Sequence, residues 1–166
     1  MSLKKLAMSA VMLLVLAGNA FADIATCPYT ANIKQKKEDQ GFSYSAPGPH
    51  GYLWVGENPY AEEEDIKTFK FTGALYRDVS SEGNTEVVSC DYEGDALDAF
   101  ARLTLYSFKG WAPVPGKKWT PQPDKEKGGA YKKAKNLLTC DALAPEDCAF
   151  NYRLLFKPPS KTAQAD

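Results

Sequence analysis

The sequence predicts an all-β fold, mainly antiparallel, built as a small disulfide-stapled sandwich or barrel with one long Pro/Gly/Lys-rich loop. Three observations carry that expectation. Six short segments alternate apolar and polar residues with a period of two, the pattern of half-buried strands. Clusters rich in Gly, Pro, Asn and Ser separate them, and no long helical periodicity intervenes. Four cysteines follow a leader of the export type, which favours two disulfides.

Residues 1–22 read as a secretory signal peptide. Lys4 and Lys5 supply the basic start, residues 6–17 the apolar run, and Ala20-Phe21-Ala22 the small-residue cleavage site. About 12 apolar residues span ~18 Å as a helix, short of the ~30 Å needed to cross a bilayer. The expectation is therefore cleavage, with no membrane anchor afterwards. No cysteine sits at the cleavage point to take a lipid.

The strand signals then run in order through a single domain, 23–157. Residues 41–46 place Phe42, Tyr44 and Ala46 on one face, the cluster 47–51 turns the chain, and residues 52–55 return it, so 41–56 reads as a hairpin. Residues 67–77 place Phe69, Phe71, Gly73 and Leu75 on one face and Thr68, Lys70, Thr72 and Ala74 on the other. After a turn at 80–84, Val88, Cys90 and Tyr92 face one way. Ala101, Leu103 and Leu105 alternate with Arg102, Thr104 and Tyr106, and Phe150, Tyr152, Leu154 and Phe156 form the last segment. Residues 112–135, with four prolines and many lysines, read as a long surface loop; 130–138 suits either a helical turn or a strand. Residues 158–166 read as a disordered tail.

Without Lys4 and Lys5, 18 of the 20 basic residues remain against 21 acidic ones, a formal charge of −3. That balance argues against nucleic acid and against a basic membrane patch. Four cysteines allow three pairings, and sequence does not choose strictly among them. Cys27–Cys90 with Cys140–Cys148 is preferred, because 144–147 between the last two reads as a turn. The alternative, a structural zinc site, ordinarily uses closely paired C-x₂₋₄-C knuckles that this spacing lacks.

Several motifs together resemble a functionally uncharacterised family of small exported bacterial proteins. They are Cys27-Pro28, the run from Gly51-Tyr52-Leu53-Trp54 to Asn58-Pro59, Phe71-Thr72-Gly73-Ala74, Cys90-Asp91-Tyr92, and Cys140 with Cys148-Ala149-Phe150. The resemblance implies an envelope or secreted β-rich domain and carries over no catalytic residue.

Chemistry-bearing groups are few. His50 is the only histidine, placed at a hairpin tip where orientation is hard to enforce, so a Ser-His-Asp or Cys-His set is not expected. Asp91, Glu93 and Asp95 alternate onto one strand face and suggest a carboxylate-type envelope enzyme or a Ca²⁺ seat, although the calcium-loop frame is missing. Trp54, with Tyr52 and Asn58, suits a sugar platform, against the commoner role of Trp in a hairpin core. Trp119, Tyr131 and Lys132 in the Lys-rich loop suit contact with a protein or glycan, with Trp111 and Trp119 partly exposed; the plainer reading, which the loop's composition favours, is a surface loop that packs its two tryptophans back onto the sheet. The reading that results is a periplasmic or secreted, non-enzymatic binding module. It needs no cofactor or metal, and its partner is an envelope or extracellular protein or glycan. Two alternatives stand beside it: the carboxylate enzyme, and a structural or inhibitory protein that inserts its 47–51 tip into a target.

Overall fold

A computed structural model describes residues 23–79, 86–122, 131 and 133–155. The predicted signal peptide, the 80–84 turn, Lys132, Phe156, the predicted tail and residues 123–130 of the long loop lie outside the described residues.

The fold is antiparallel β, in two sheets. Strands β1 (Asp23–Ala25), β2 (Lys34–Lys37), β3 (Phe42–Pro47), β4 (Leu53–Asn58), β5 (Lys70–Arg77), β6 (Glu86–Glu93), β7 (Phe100–Lys109), β8 (Ala112–Pro113), β9 (Trp119–Pro121), β10 (Leu137–Asp141), β11 (Phe150–Tyr152) and β12 (Leu154–Leu155) follow in chain order. Nine of them form a large sheet in the order β2-β3-β4-β7-β6-β5-β10-β9, with β12 added beside β7. Strands β1-β11-β8 make the second sheet. Since β2 and β9 end the large sheet without pairing to each other, it is open, and the architecture is a sandwich rather than a closed barrel.

Alternation explains the inner face. Phe42, Tyr44 and Ala46 on β3, Val88, Cys90 and Tyr92 on β6, and Ala101, Leu103 and Leu105 on β7 are all buried, as their spacing predicts. On β5 the expected face is half right. A bulge between Phe71 and Gly73 shifts the register, so Ala74 and Tyr76, rather than Gly73 and Leu75, continue the inner row after Phe71. The small sheet brings Phe150 and Tyr152 against Phe108 of β7, with ring centroids 5.3 and 5.6 Å apart. Burial, with the nearby Asp65 carboxylate, pushes the Tyr44 phenol up to about 12, and its hydroxyl finds no hydrogen-bond partner among the described residues.

The last predicted strand is broken in two. Alternation carries straight through Arg153 in the sequence, yet the Arg153 amide bonds the Lys109 carbonyl at 3.0 Å and the chain changes sheets there. The long loop is likewise less irregular than predicted. It contains β8 and β9, and β10 begins at Leu137, so the end of 130–138 is strand.

Both disulfides form with the preferred pairing. Cys27–Cys90 ties the segment after β1 to the middle of β6, and Cys140–Cys148 ties β10 to the turn before β11. All four sulfur-bearing side chains are buried. Beside the first bond, the Tyr92 hydroxyl donates to the Pro28 carbonyl at 2.5 Å. Two such bonds are the chemistry of a compartment more oxidising than the cytoplasm. Among the described residues, no helix is long and apolar enough to cross a membrane.

Where β4 meets β7, only Val55 and Thr104 pair in register. A side chain at Gly56 would bring its Cβ within 2.1 Å of the Arg102 carbonyl, so the close crossing of these strands requires glycine. The strands beyond that crossing carry the site.

Candidate functional site

On the face of the large sheet turned away from the small one, the registers line up one residue from each of four strands. Asp141 of β10 stands opposite Gly73 of β5, Gly73 opposite Asp91 of β6, and Asp91 opposite Arg102 of β7. In the next row, Thr139, Leu75, Ser89 and Thr104 are paired in the same way. A third row sets Lys70, Glu93 and Phe100 side by side. Because Gly73 has no side chain, the middle of the first row is bare, and a groove of about 570 Å³ opens there. It is lined by Thr72, Asp91, Glu93, Phe100, Arg102, Thr139 and Asp141 among others. Gly73 is also sterically required, since a Cβ would lie 2.8 Å from the Cys140 carbonyl oxygen.

The charges in the groove divide into a fixed pair and a loose one. Arg102 donates from Nε to Asp91 Oδ1 at 2.6 Å and from Nη2 to Oδ2 at 2.7 Å, a bidentate arrangement. Those hydrogen bonds hold the guanidinium charged, above its already high ordinary value. Its Nη1 donates to the Tyr131 hydroxyl at 2.9 Å. Glu93 and Asp141, by contrast, make no side-chain hydrogen bond or ion pair among the described residues. With Asp91 and Arg102 cancelling, Glu93 and Asp141 give the described lining of the groove two negative charges that no described side chain pairs.

A strap closes one end. The Arg77 guanidinium of β5 lies 5.6 Å from the centroid of the Tyr131 ring, while Arg102 of β7 holds that ring's hydroxyl. Tyr131 therefore spans β6, the strand between them. Val87 is wholly buried and Ser89 nearly so, although both fall in the outward phase of β6. Ser89 and Thr104 satisfy each other at 2.9 Å. Ala134 and Leu137 are buried as well, and the strap is fixed by Asp78. That carboxylate accepts the Lys135 amide at 3.1 Å and the Asn136 amide and side chain at 2.9 Å each.

Of the residues singled out from the sequence, only some meet at this groove. Tyr131 bounds it, Asp91 and Glu93 line it, and Lys132 lies outside the described residues. Asp95 does not join them. The strand ends at Glu93, and the Asp95 carboxylate takes Lys70 at 3.3 Å. Among the described residues, no group of acidic, histidine or cysteine side chains is arranged to hold a metal ion.

The tryptophans are elsewhere. Trp54 is 1% exposed and belongs to the core, so it presents no sugar platform. Trp119 is 8% exposed rather than partly open. Its indole N–H donates to the Ala149 carbonyl at 3.0 Å, and its ring meets Trp111 edge-on at 5.0 Å. Trp111, half-buried, stacks on Tyr76 at 3.8 Å. Trp54 on β4 and Trp119 on β9 carry large apolar area to the sandwich interior, and Trp111, between β7 and β8, packs against that core; in each case apolar area is removed from water.

Asn58, wholly buried, works on its own backbone surroundings. Its amide donates to the Asp98 and Phe100 carbonyls at 2.7 and 3.0 Å, and its carbonyl accepts the Tyr60 amide at 2.9 Å. The hairpin tip is also tied down. Residues Pro49–Gly51 form a 3₁₀ turn, His50 adopts a left-handed φ of 53°, and its Nε2 is 2.9 Å from an Asp23 carboxylate oxygen.

Arg102, Thr139, Asp141 and Phe100 were not singled out by sequence. Each has the correct outward phase on its strand, but what assembles them is cross-strand register, which sequence spacing does not encode. The chain belongs to the family described as "protein of unknown function (DUF3757)", which it matches over residues 21–151. No curated protein and no solved structure matches the chain.

Proposed function

We propose, for this member of the DUF3757 family, that it is an exported, non-enzymatic binding module, released to the periplasm or the medium after loss of residues 1–22, and that its ligand seat is the outer-face groove. One observation carries the reading. The sheet's exposed face has a built concavity whose polar groups are held before any ligand arrives: Arg102 by Asp91 and Tyr131, and Tyr131 in turn by Arg77. Pre-positioned groups lower the ordering cost of binding. For the carboxylate-enzyme alternative, both oxygens of Asp91 already serve Arg102 and Asp95 takes Lys70 outside the groove, so of its three carboxylates Glu93 alone lines the groove without a partner among the described residues.

Filling the groove tests this. Thr139 lines it, on an outward position of β10. Thr139→Trp is expected to abolish co-purification of envelope material with the protein while leaving the fold intact, whereas Lys36→Trp on the edge strand β2 leaves that material unchanged. Equal retention by both folded variants would refute the assignment.

A further inference from the structure

We infer that the groove takes a carbohydrate without acidic groups, a neutral or amino-bearing oligosaccharide; the inference rests on the ligand seat proposed above. The groove offers hydrogen-bonding groups of both signs at fixed places. Arg102 has five N–H donors, of which three are engaged by Asp91 and Tyr131, leaving two for a ligand. Glu93 and Asp141 offer carboxylate acceptors with no partner among the described residues; the Thr72 hydroxyl, which donates to the Asp91 carbonyl at 3.3 Å, keeps its capacity to accept, and the Thr139 hydroxyl, which accepts from Gln122 Nε2 at 2.6 Å, keeps a proton to donate. A sugar hydroxyl both donates and accepts, so vicinal hydroxyls suit a carboxylate on one side and a guanidinium on the other. Phe100, 42% exposed at the groove's margin, supplies the apolar surface against which the C–H face of a pyranose packs. At about 570 Å³ the groove has the size of an ordinary small-ligand site and is open enough for a chain to continue out of it.

Two rival ligand classes fit less well. An anionic polymer meets two carboxylates with no partner among the described residues and a guanidinium already neutralised by Asp91. An extended peptide gains most of its affinity from backbone pairing at a sheet edge. Here β5, β6 and β7 are each paired on both sides, so the groove floor has no open ladder.

The test is a titration of the ¹⁵N-labelled mature protein, followed by amide shifts, with four probes: chitotetraose, its deacetylated tetra-amine, tetragalacturonate and a lysine-rich tetrapeptide. The first two are expected to move the amides of Gly73, Asp91, Glu93, Arg102, Thr139 and Asp141, and tetragalacturonate to leave them in place. The double variant Glu93→Ala, Asp141→Ala, which removes two partnerless side chains, is expected to weaken chitotetraose by at least about tenfold, the loss of one or two net hydrogen bonds. Groove shifts with tetragalacturonate as large as with chitotetraose would overturn the carbohydrate assignment. So would groove shifts with the peptide when both sugars give none, although the seat itself would then stand. If none of the four probes moves a groove amide and Thr139→Trp also retains its envelope material, the seat and the carbohydrate fall together.

Discussion

Replacing Cys27 and Cys90 together by alanine is expected to destabilise the protein by about 4 kcal/mol, more than the same change at Cys140 and Cys148. The two residues are separated by 63 positions, and the link closes a long stretch of the β domain into one loop. In the chain-entropy picture, a loop of that size contributes about 4 kcal/mol by restricting the unfolded state. The Cys140–Cys148 link, with a separation of 8, contributes about 2.5 kcal/mol by the same reasoning. Since small domains are stable by only about 5–15 kcal/mol, loss of the long link removes a large share of the total. Urea midpoints of the two double-alanine variants check the order. A larger loss from the short link would show that local strain or packing, rather than loop closure, governs the contribution of these bonds.

Asn58→Ala is expected to cost about 3 kcal/mol, the largest effect of a single polar substitution. The side chain is wholly buried and serves three backbone groups at once: the Asp98 and Phe100 carbonyls and the Tyr60 amide. Alanine leaves all three without that partner, and each buried group left unmet costs about 1–3 kcal/mol, reduced where water can reach it. The melting temperature should fall by roughly 6–12 °C for a domain of this length. Asn58→Asp keeps the shape but turns the two donors into a carboxylate facing two carbonyls, and is expected to be at least as damaging. A thermal melt of Asn58→Asp indistinguishable from the unsubstituted protein would contradict the role assigned to the amide.

Asn58 also illustrates what the sequence could and could not convey. Its position just after a Trp-bearing strand suggested a ligand contact, because a polar residue near aromatics reads alike in a binding platform and in a buried staple. The deciding fact is which carbonyls come back to it, and those belong to residues forty positions away. Strand phase was legible wherever the chain stayed regular: Phe42, Tyr44 and Ala46, or Ala101, Leu103 and Leu105, are buried as alternation demands. It failed where one residue was inserted, at the Phe71/Gly73 bulge, and where the chain left one sheet for the other, at Arg153. The cysteine pairing was legible as a preference, and the folded chain adopts it.

The groove was legible only in fragments. Asp91 and Glu93 were visible as outward carboxylates and Tyr131 as an aromatic in a basic loop. Arg102, which joins Asp91 to Tyr131, stood unremarked on the polar side of its strand. Even the absence that creates the groove, the missing side chain of Gly73, read as part of an apolar face until the bulge turned it outward. A site made by register across β10, β5, β6 and β7 has no contiguous signature.

The most direct measurement is therefore photocrosslinking in living cells from an outward groove position. A benzophenone side chain at Phe100, at the groove's margin, is expected to give a discrete adduct with envelope material. The same group at Lys36, on the distant edge strand, should give none. Adducts of the same kind and yield from both positions, or from Lys36 alone, would contradict the placement of the binding seat on the outer face of the large sheet.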